Sequence, residues 1–372
     1  MRLRIIAISI IGATWMAMYV LNNPCLGDDW SQIISQQVAE NILAKFSPKT
    51  YPQPPDWAQA GQEPLFRFAW LSDMHLDATR SKMIAEAFAY IDERVKPDFV
   101  LITGDNNAAA IPNSSKSKGL RRQEFLKAFL QKHLKTPYAI IPGDNWPQDF
   151  EKVFGPRQYS FDHGGVHFML TSLDRGSGGK HEGLSVFNEE TWDWMKADLD
   201  KNKEKPTIIA LHEPVYPPTF LDAPRMQKLL AKHSNVLACF HGHLHADLEF
   251  QSSGGPKSIL CPALGPGRPS AMKEVLVLKD IIVIRTIEYT PSDHKSKFAY
   301  ANKWQRIDIP IPLSCGIKQP EPVMQFSENY SATSENPFVL DATLVKRLPE
   351  LFVIVQQFLR EQVGKSTGVP GN

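Results

Sequence analysis

Apolar runs of strand length recur along the middle of the chain, and polar or glycine-containing turns follow them. These runs are Phe66–Leu71, Phe99–Thr103, Tyr138–Ile141, Val166–Ser172, Thr207–Leu211 and Val236–Phe240. Several are separated by stretches with helical spacing of apolar residues, at Ser81–Val95, Gln123–His133 and Asn188–Asn202. This alternation predicts an α/β domain built in layers.

The later part of the chain has strand-like runs that follow one another without intervening helices. They are Ser258–Cys261, Glu274–Leu278, Ile281–Glu288 and Phe298–Ile311. Such a run predicts antiparallel strands added to a sheet. We therefore expect a main domain over residues 65–312, preceded by a helix and a Pro-rich linker over residues 28–64. A C-terminal extension over residues 313–372 should contain one helix, at Ala342–Val363.

The first residues have a different pattern from the rest. Arg2 and Arg4 precede an apolar run from Ile5 to Leu21. This arrangement is typical of a secretory signal peptide, which we predict over residues 1–27. The alternative is an uncleaved membrane anchor, although the run is slightly shorter than the ~20 apolar residues of a spanning helix. Either reading predicts a protein outside the cytoplasm, secreted or periplasmic, with membrane contact only if the segment is retained.

Composition excludes two classes of protein. Of the 372 residues, 42% are hydrophobic and 22% are charged, which is a globular rather than a disordered composition. The 41 Lys and Arg residues nearly balance the 40 Asp and Glu residues. A dedicated nucleic-acid-binding surface is therefore not expected.

Aspartate and histidine residues follow five of the predicted strands at the point where each strand ends. The groups are Asp73-Met74-His75, Gly104-Asp105, Gly143-Asp144-Asn145, His212 and His243-Leu244-His245. In an open α/β sheet, the carboxyl ends of the strands form the edge at which ligands bind. The sequence therefore predicts that these side chains converge.

The mixture of carboxylates and imidazoles favours a metal site. Transition-metal dications accept both ligand types, and a carboxylate can bridge two ions that hold a phosphoryl group between them. Buried carboxylates without a cation would raise one another's pKa values. Each motif alone has an ordinary explanation as a cap, a turn or a core histidine. Their joint occurrence at successive strand ends is what favours ligands.

This order of motifs resembles that of the calcineurin-like metallophosphoesterases: Asp-x-His, Gly-Asp, Gly-Asn-His, a single His and Gly-His-x-His. The resemblance runs from about Leu65 to about Glu288 and includes a strand hairpin at Tyr159–Phe168. It implies a four-layer α/β/β/α sandwich that binds two divalent metal ions, Mn, Fe or Zn. It also implies hydrolysis of a small phosphorylated substrate, a phosphate monoester or diester, by a water molecule that the two ions activate.

The resemblance also assigns the ligands. It implies that one ion is held by Asp73, His75, Asp105 and His245, and the other by Asp105, Asp144, His212 and His243. Asp105 would bridge the two ions. A mononuclear site without Asp144 is the alternative. Purple acid phosphatases have a Tyr three residues after the bridging Asp, and here that position is Ala108, so a tyrosinate–iron centre is not expected.

One motif departs from the family pattern, because Gly143-Asp144-Asn145 stands where the family has Gly-Asn-His. Asp144 supplies an oxygen of the same reach. Asn145 can bind a phosphoryl oxygen but cannot protonate a leaving group, and loss of a general acid commonly costs about 10²–10⁴-fold in rate. His163 and His181 are candidate replacements. Two functions therefore remain open: phosphoester hydrolysis, or a non-catalytic, metal-stabilised scaffold on the same fold.

Overall fold

Twelve strands and five α-helices make up the part of the chain that the computed structural model describes. This part comprises residues 63–109, 117–172, 186–216, 219–251, 255–267, 269–291, 297–311, 313 and 353. The strands are β1 (Phe66–Leu71), β2 (Phe99–Thr103), β3 (Tyr138–Ile141), β4 (Tyr159–His163), β5 (Val166–Leu170), β6 (Thr207–Ala210), β7 (Val236–His241), β8 (Glu249–Gln251), β9 (Lys257–Leu260), β10 (Ala271–Val277), β11 (Ile281–Tyr289) and β12 (Phe298–Asp308). The helices are α1 (Ser81–Tyr90), which a π-helical turn (Ile91–Val95) continues, α2 (Lys118–His133), α3 (Phe150–Phe154), α4 (Glu189–Lys201) and α5 (Ala223–Leu230).

The strands form two mixed six-stranded sheets. The first has the order β12-β11-β10-β1-β2-β3, and the second has the order β4-β5-β6-β7-β9-β8. In the first sheet β1, β2 and β3 are parallel, whereas β10, β11 and β12 are antiparallel additions. In the second sheet β5, β6, β7 and β9 are parallel, with an antiparallel strand at each edge. The predicted hairpin is the β4–β5 pair.

The two sheets face each other across an aromatic core. Phe68 stacks on Phe99 with ring centroids 4.9 Å apart, and Trp70 of the first sheet stacks on Phe240 of the second at 4.2 Å. Helices α1, α2 and α3 pack on the outer face of the first sheet, and α4 and α5 on the outer face of the second. The predicted four-layer α/β/β/α sandwich is therefore confirmed.

Polar caps fix where two of the helices begin. The Ser117 hydroxyl accepts a hydrogen bond from the Leu120 N–H (3.0 Å), and the Asn188 side-chain oxygen accepts one from the Thr191 N–H (2.8 Å). Each cap satisfies an N–H group that has no partner within the helix. Because Ser117 starts α2, this helix is five residues longer than its apolar spacing, which begins at Gln123, predicts.

The predicted strands lie within a few residues of the observed ones, but three short elements were not predicted. These are α3, α5 and β8, whose apolar patterns are only three to eight residues long. The predicted signal segment lies outside the described residues, and so do the linker apart from residues 63 and 64 and the predicted helix at Ala342–Val363 apart from Val353. Within the described residues, none of the helices has both the length and the apolar composition that crossing a membrane requires.

Candidate metal centre

The site forms where the carboxyl ends of the central strands of both sheets meet. Asp73 and His75 follow β1, Asp105 follows β2, and Asp144 follows β3. From the second sheet, His212 follows β6, while His243 and His245 follow β7. Strand geometry thus brings side chains that are up to 172 residues apart in sequence to one edge of the sandwich.

Five of these seven residues have left-handed backbone conformations, which are uncommon for residues other than glycine. Their φ angles are Asp73 50°, His75 41°, Asp105 51°, His243 68° and His245 52°. Such conformations cost on the order of 1–3 kcal/mol each and persist only where the surrounding structure imposes them. Backbone hydrogen bonds between the loops do so here: the Asp73 N–H donates to the Gly104 carbonyl (3.0 Å) and the His75 N–H to the Asp105 carbonyl (2.8 Å).

Two glycines allow the loops to approach one another closely. Gly143 has φ of 81°, and a Cβ atom there would lie 2.3 Å from the Asp105 backbone nitrogen. A Cβ atom at Gly242 would lie 1.8 Å from the Ser72 hydroxyl oxygen. Any side chain at either position would therefore separate the loops that carry the carboxylates and imidazoles.

The first group of side chains contains Asp73, His75 and His245, with Asp105 beside it. His245 Nε2 lies 3.3 Å from Asp73 Oδ1, and His75 Nε2 lies 3.5 Å from Asp105 Oδ2. The two imidazole Nε2 atoms are themselves 3.3 Å apart. One donor atom from each of Asp73, His75 and His245 lies within 4.8 Å of the others, close enough to bind one ion.

The second group contains Asp144, His212 and His243 and is fully buried. His212 Nε2 lies 3.3 Å from both Asp105 Oδ1 and Asp144 Oδ1, and His243 Nδ1 lies 3.5 Å from Asp144 Oδ1. Asp105 therefore presents one oxygen to each group. This is the position that a bridging carboxylate would occupy.

The donor spacing fits bound metal ions better than direct hydrogen bonds. Around an ion with bonds of about 2.1 Å, neighbouring donors in a tetrahedral arrangement lie about 3.4 Å apart. His212 Nε2 and Asp144 Oδ2 are buried, yet neither makes a hydrogen bond to any residue of the described ranges. Buried polar atoms are rarely left in this condition. The arrangement therefore fits two divalent cations, and the family resemblance predicted the same number.

The pKa values of two side chains at the site also favour bound cations. Burial opposes the charged form of His212, but Asp105 and Asp73 outweigh it and raise its pKa well above the ordinary value. Burial likewise opposes ionisation of Asp144, but His243 and His212 hold the pKa of this carboxyl well below the ordinary value. The site thus favours the ionised form of Asp144 and attracts positive charge, which protons on His212 supply when metal ions are absent.

Hydrogen bonds fix the positions of two of the histidines, one through its ring and one through its backbone. His212 Nδ1 lies 2.7 Å from the Thr103 carbonyl oxygen, so Nδ1–H donates to it and Nε2 is the nitrogen that faces the carboxylates and would bind a metal ion. The backbone N–H of His243 donates to Asp73 Oδ2 at 3.0 Å. The Thr103 carbonyl has no sequence signal, because any residue at that position supplies one.

Asn145 lies against the carboxylate at the centre of the site. Its backbone N–H donates to Asp105 Oδ1 at 2.8 Å, and its side-chain amide donates to Asp105 Oδ2. The side chain that departs from the family pattern is therefore close enough to contact a substrate bound there.

His163 is not the replacement proton donor that the sequence suggested. Its ring packs edge-on against Phe66 and Phe99, with centroids 4.8 Å and 5.2 Å away. These two residues begin β1 and β2, whereas the site lies beyond the other ends of both strands. Burial also lowers the pKa of His163. His181, the other candidate, lies outside the described residues.

Comparisons with known proteins agree with the fold and the motifs. A model of the calcineurin-like phosphoesterase family matches residues 66–247. The chain is 25% identical over 215 residues to the 3',5'-cyclic adenosine monophosphate phosphodiesterase CpdA of Haemophilus influenzae, across 52% of this chain and 74% of that relative. A dimetal phosphatase from Danio rerio superimposes with a TM-score of 0.51 and 14% identity, across 66% of this chain and 100% of that structure.

The family resemblance is therefore confirmed: residues 66–247 form a calcineurin-like phosphoesterase domain. All seven side chains expected to hold the metal ions lie within this range. Membership in this family indicates metal-dependent chemistry on phosphate esters.

Proposed function

We propose that this protein hydrolyses a small phosphate ester with two divalent metal ions bound at the site described above. The observation that carries the proposal is the meeting of three carboxylates and four imidazoles around Asp105, with donor atoms 3.3–3.5 Å apart. In the proposed site, Asp73, His75 and His245 hold one ion, and Asp144, His212 and His243 hold the other. Asp105 touches both groups.

Bound ions of this kind lower the pKa of a water molecule and neutralise the charge of a phosphoryl group. The protein's own residues keep the ligands in place and exclude bulk water from the buried half of the site. Asn145 donates an amide hydrogen bond toward the same region and is positioned to bind a phosphoryl oxygen. Because an amide cannot protonate a leaving group, substrates whose leaving groups need no proton should react fastest.

The substrate we favour is a phosphodiester. The support is the similarity to a relative named as a cyclic nucleotide phosphodiesterase, which covers 52% of this chain. A phosphate monoester is the alternative, and the ratio of the two activities decides between them.

The first test is metal analysis followed by a substrate panel. The protein is purified, freed of metal with a chelator and reloaded separately with Mn, Fe or Zn, and bound metal is counted. We expect two ions per chain and turnover of bis(p-nitrophenyl) phosphate above that of p-nitrophenyl phosphate. Two bound ions with no hydrolysis of any aryl or nucleotide ester would contradict the proposal.

The alternative function is a non-catalytic scaffold on this fold, which would also lack the family histidine at the position of Asn145. The variant Asn145→His distinguishes this scaffold from an enzyme. If the protein is an enzyme without a general acid, the new imidazole should raise the rate about 10²-fold for alkyl esters and much less for aryl esters. The change is measured as kcat for a matched pair of alkyl and aryl phosphodiesters. No activity with either protein, at unchanged metal content, would favour the scaffold.

A further inference from the structure

A buried polar cluster lies behind the loop that carries His243 and His245. Its centre is Lys273 on β10, whose side chain is fully buried. Lys273 Nζ donates to Asp247 Oδ1 (2.6 Å) and to Gln305 Oε1 (2.8 Å), and it lies 3.3 Å from the Thr286 hydroxyl. The Thr286 hydroxyl donates to the other oxygen of Asp247 at 2.6 Å.

This cluster joins the two sheets at the edge of the metal site. Lys273 pairs in register with Trp70 on β1 and with Thr286 on β11, so its side chain enters the space between the sheets. Asp247 belongs to the loop after β7, two residues beyond His245. Two side chains of the first sheet, Lys273 and Thr286, therefore hold the carboxylate of Asp247, which belongs to a loop that extends from the second sheet.

Stability alone is a weak reason for such a pair. Removing two charges from water costs several kcal/mol per ion, and well-packed apolar residues often replace a buried ion pair without loss of stability. Fixing one arrangement among several is the better-supported use of a buried pair. The loop at Asp247 has a need for this, because His243 and His245 both have left-handed backbone conformations, with φ of 68° and 52°.

The loop is held from both sides. Before the ligands, the Gly242 N–H donates to the His212 carbonyl (2.9 Å), and the His243 N–H donates to Asp73. After the ligands, Asp247 receives hydrogen bonds from Lys273 and Thr286. Without this second attachment, the next hydrogen bond to the loop backbone after His245 is the one that the Leu248 carbonyl accepts from the Leu260 N–H (2.9 Å). The His245 side chain is also the more exposed of the two, at 38% against 4% for His243.

We infer that Lys273 is a positioning residue for the metal site: through Asp247 it fixes the loop that places His245 and His243. The inference rests on the proposed two-metal site and goes beyond it, since Lys273 touches neither a ligand nor a substrate. Loss of an outer hydrogen-bond partner that orients ligands commonly weakens metal binding about 10–100-fold.

The test replaces the pair as a unit, with Lys273→Met and Asp247→Leu together, so that no buried charge is left alone. A matched control is available on the same two strands, one residue along. Arg285 and Glu274 form a pair on the opposite face, in which Glu274 is buried and the Arg285 side chain is 23% exposed and stacks on the Tyr300 ring at 3.8 Å. Arg67, which is 31% exposed, also lies 3.6 Å from Glu274 and stays hydrated when Glu274 is replaced. The control variant combines Arg285→Met with Glu274→Leu.

Metal-free protein is titrated with Mn²⁺ by calorimetry, and thermal unfolding is recorded in chelator. In the Lys273/Asp247 variant, we expect at least one of the two stepwise binding constants to fall about 10–100-fold. In the Arg285/Glu274 variant, both constants should stay within about threefold of the wild type. A Lys273/Asp247 variant that folds and binds both ions as tightly as the wild type would overturn the inference.

A milder variant covers the case in which the double replacement prevents folding. Thr286→Val keeps the shape and removes the hydroxyl that donates to Asp247 and accepts from Lys273, while the direct Lys273–Asp247 contact stays, so it should weaken binding in the same direction by a smaller factor. Unchanged binding constants in this variant, with a melting temperature below that of the wild type, would make the cluster purely structural and overturn the inference. Wild-type protein that binds no ions contradicts the proposed function as well, whereas two bound ions without hydrolysis contradict the proposed function alone.

Discussion

Buried histidines lie among carboxylates at both ends of the second sheet, and only one of the two arrangements is suited to metal ions. At the carboxyl end, after β6, His212 faces Asp73, Asp105 and Asp144. At the other end, on β5, His167 lies between Asp162 and Asp198. The carboxylates outweigh the effect of burial in both places, so the pKa of each histidine is raised.

The two clusters differ in how their atoms and charges are satisfied. Both ring nitrogens of His167 are used, with Nδ1 2.6 Å from Asp162 and Nε2 2.8 Å from Asp198, and Lys205 adds a second cation 2.6 Å from Asp162. Two carboxylates thus meet two cationic groups. His212 instead gives Nδ1–H to a backbone carbonyl and leaves Nε2 without a hydrogen bond among three carboxylates. The buried Nε2 atom, which makes no hydrogen bond to any residue of the described ranges, distinguishes the ligand site from the structural ion pair.

The largest difference between the two clusters should appear when one carboxylate in each is replaced by an amide. Asp105→Asn removes charge at the point where both ligand groups meet, so bound metal should fall from two ions to one or none, with hydrolysis down by about 10³-fold or more. Asp198→Asn is the matched change in the other cluster and should leave both quantities unaltered. Metal is counted by elemental analysis and hydrolysis by initial rates. Equal losses in the two variants would remove the distinction drawn above.

Metal removal should lower stability by an intermediate amount. Each ion that binds only the folded protein stabilises it by about 2.7 kcal/mol at 100 times its Kd. In a domain of this size, each ion therefore raises Tm by about 5–10 °C, and a chelator that removes both ions should lower Tm by about 10–20 °C. His212→Gln should reduce the difference between metal-loaded and chelated protein by about half, because it removes a ligand of one ion only, whereas His167→Gln should preserve the full difference. A chelator effect of the same size in His212→Gln would show that the ions bind elsewhere.

The metal site could be predicted from the sequence because its ligand residues directly follow the ends of predicted strands. Each ligand motif follows an apolar run, and parallel strands have their carboxyl ends at a common edge of the sheet. We could therefore predict that the ligand side chains converge without knowing the order of the strands. The order itself was not predictable. After β9 the chain leaves the second sheet, and β10 pairs with β1 in the first, a choice that depends on packing between distant residues such as Trp70 and Phe240.

The buried residues that support the metal site could not be identified from a single sequence. Asp247 and Lys273 are 26 residues apart, and in the sequence alone each resembles an ordinary surface residue. Their contact is seen only in the structure, where the two sheets pack together. His163 shows the converse error: the sequence analysis named it as a candidate proton donor, but side-chain alternation along β4 places its ring in the aromatic core, against Phe66 and Phe99. Strand ends can be located from pattern, whereas buried polar partners depend on tertiary packing.

The smallest effect concerns the structural cluster and its dependence on pH. The pKa of His167 is raised above the ordinary value of 6.5, because Asp198 and Asp162 outweigh burial. A raised pKa in the folded state stabilises the protein fully below the unfolded-state value, and this contribution disappears as pH rises through the folded-state value. His167→Gln should therefore cost about 1–2 kcal/mol at pH 5.5, with the deficit shrinking toward pH 9.

Urea unfolding of chelated protein at the two pH values measures this deficit. His233→Gln is the control, since His233 lies 3.9 Å from Asp200, whose side chain is 76% exposed, and such a surface pair should contribute less than about 0.5 kcal/mol. In samples loaded with metal and not treated with chelator, both variants should still bind two ions per chain. A deficit in His167→Gln that grows with pH would mean that the imidazole acts there as a neutral group, and the contrast between a charge-balanced cluster and a metal site would have to be redrawn.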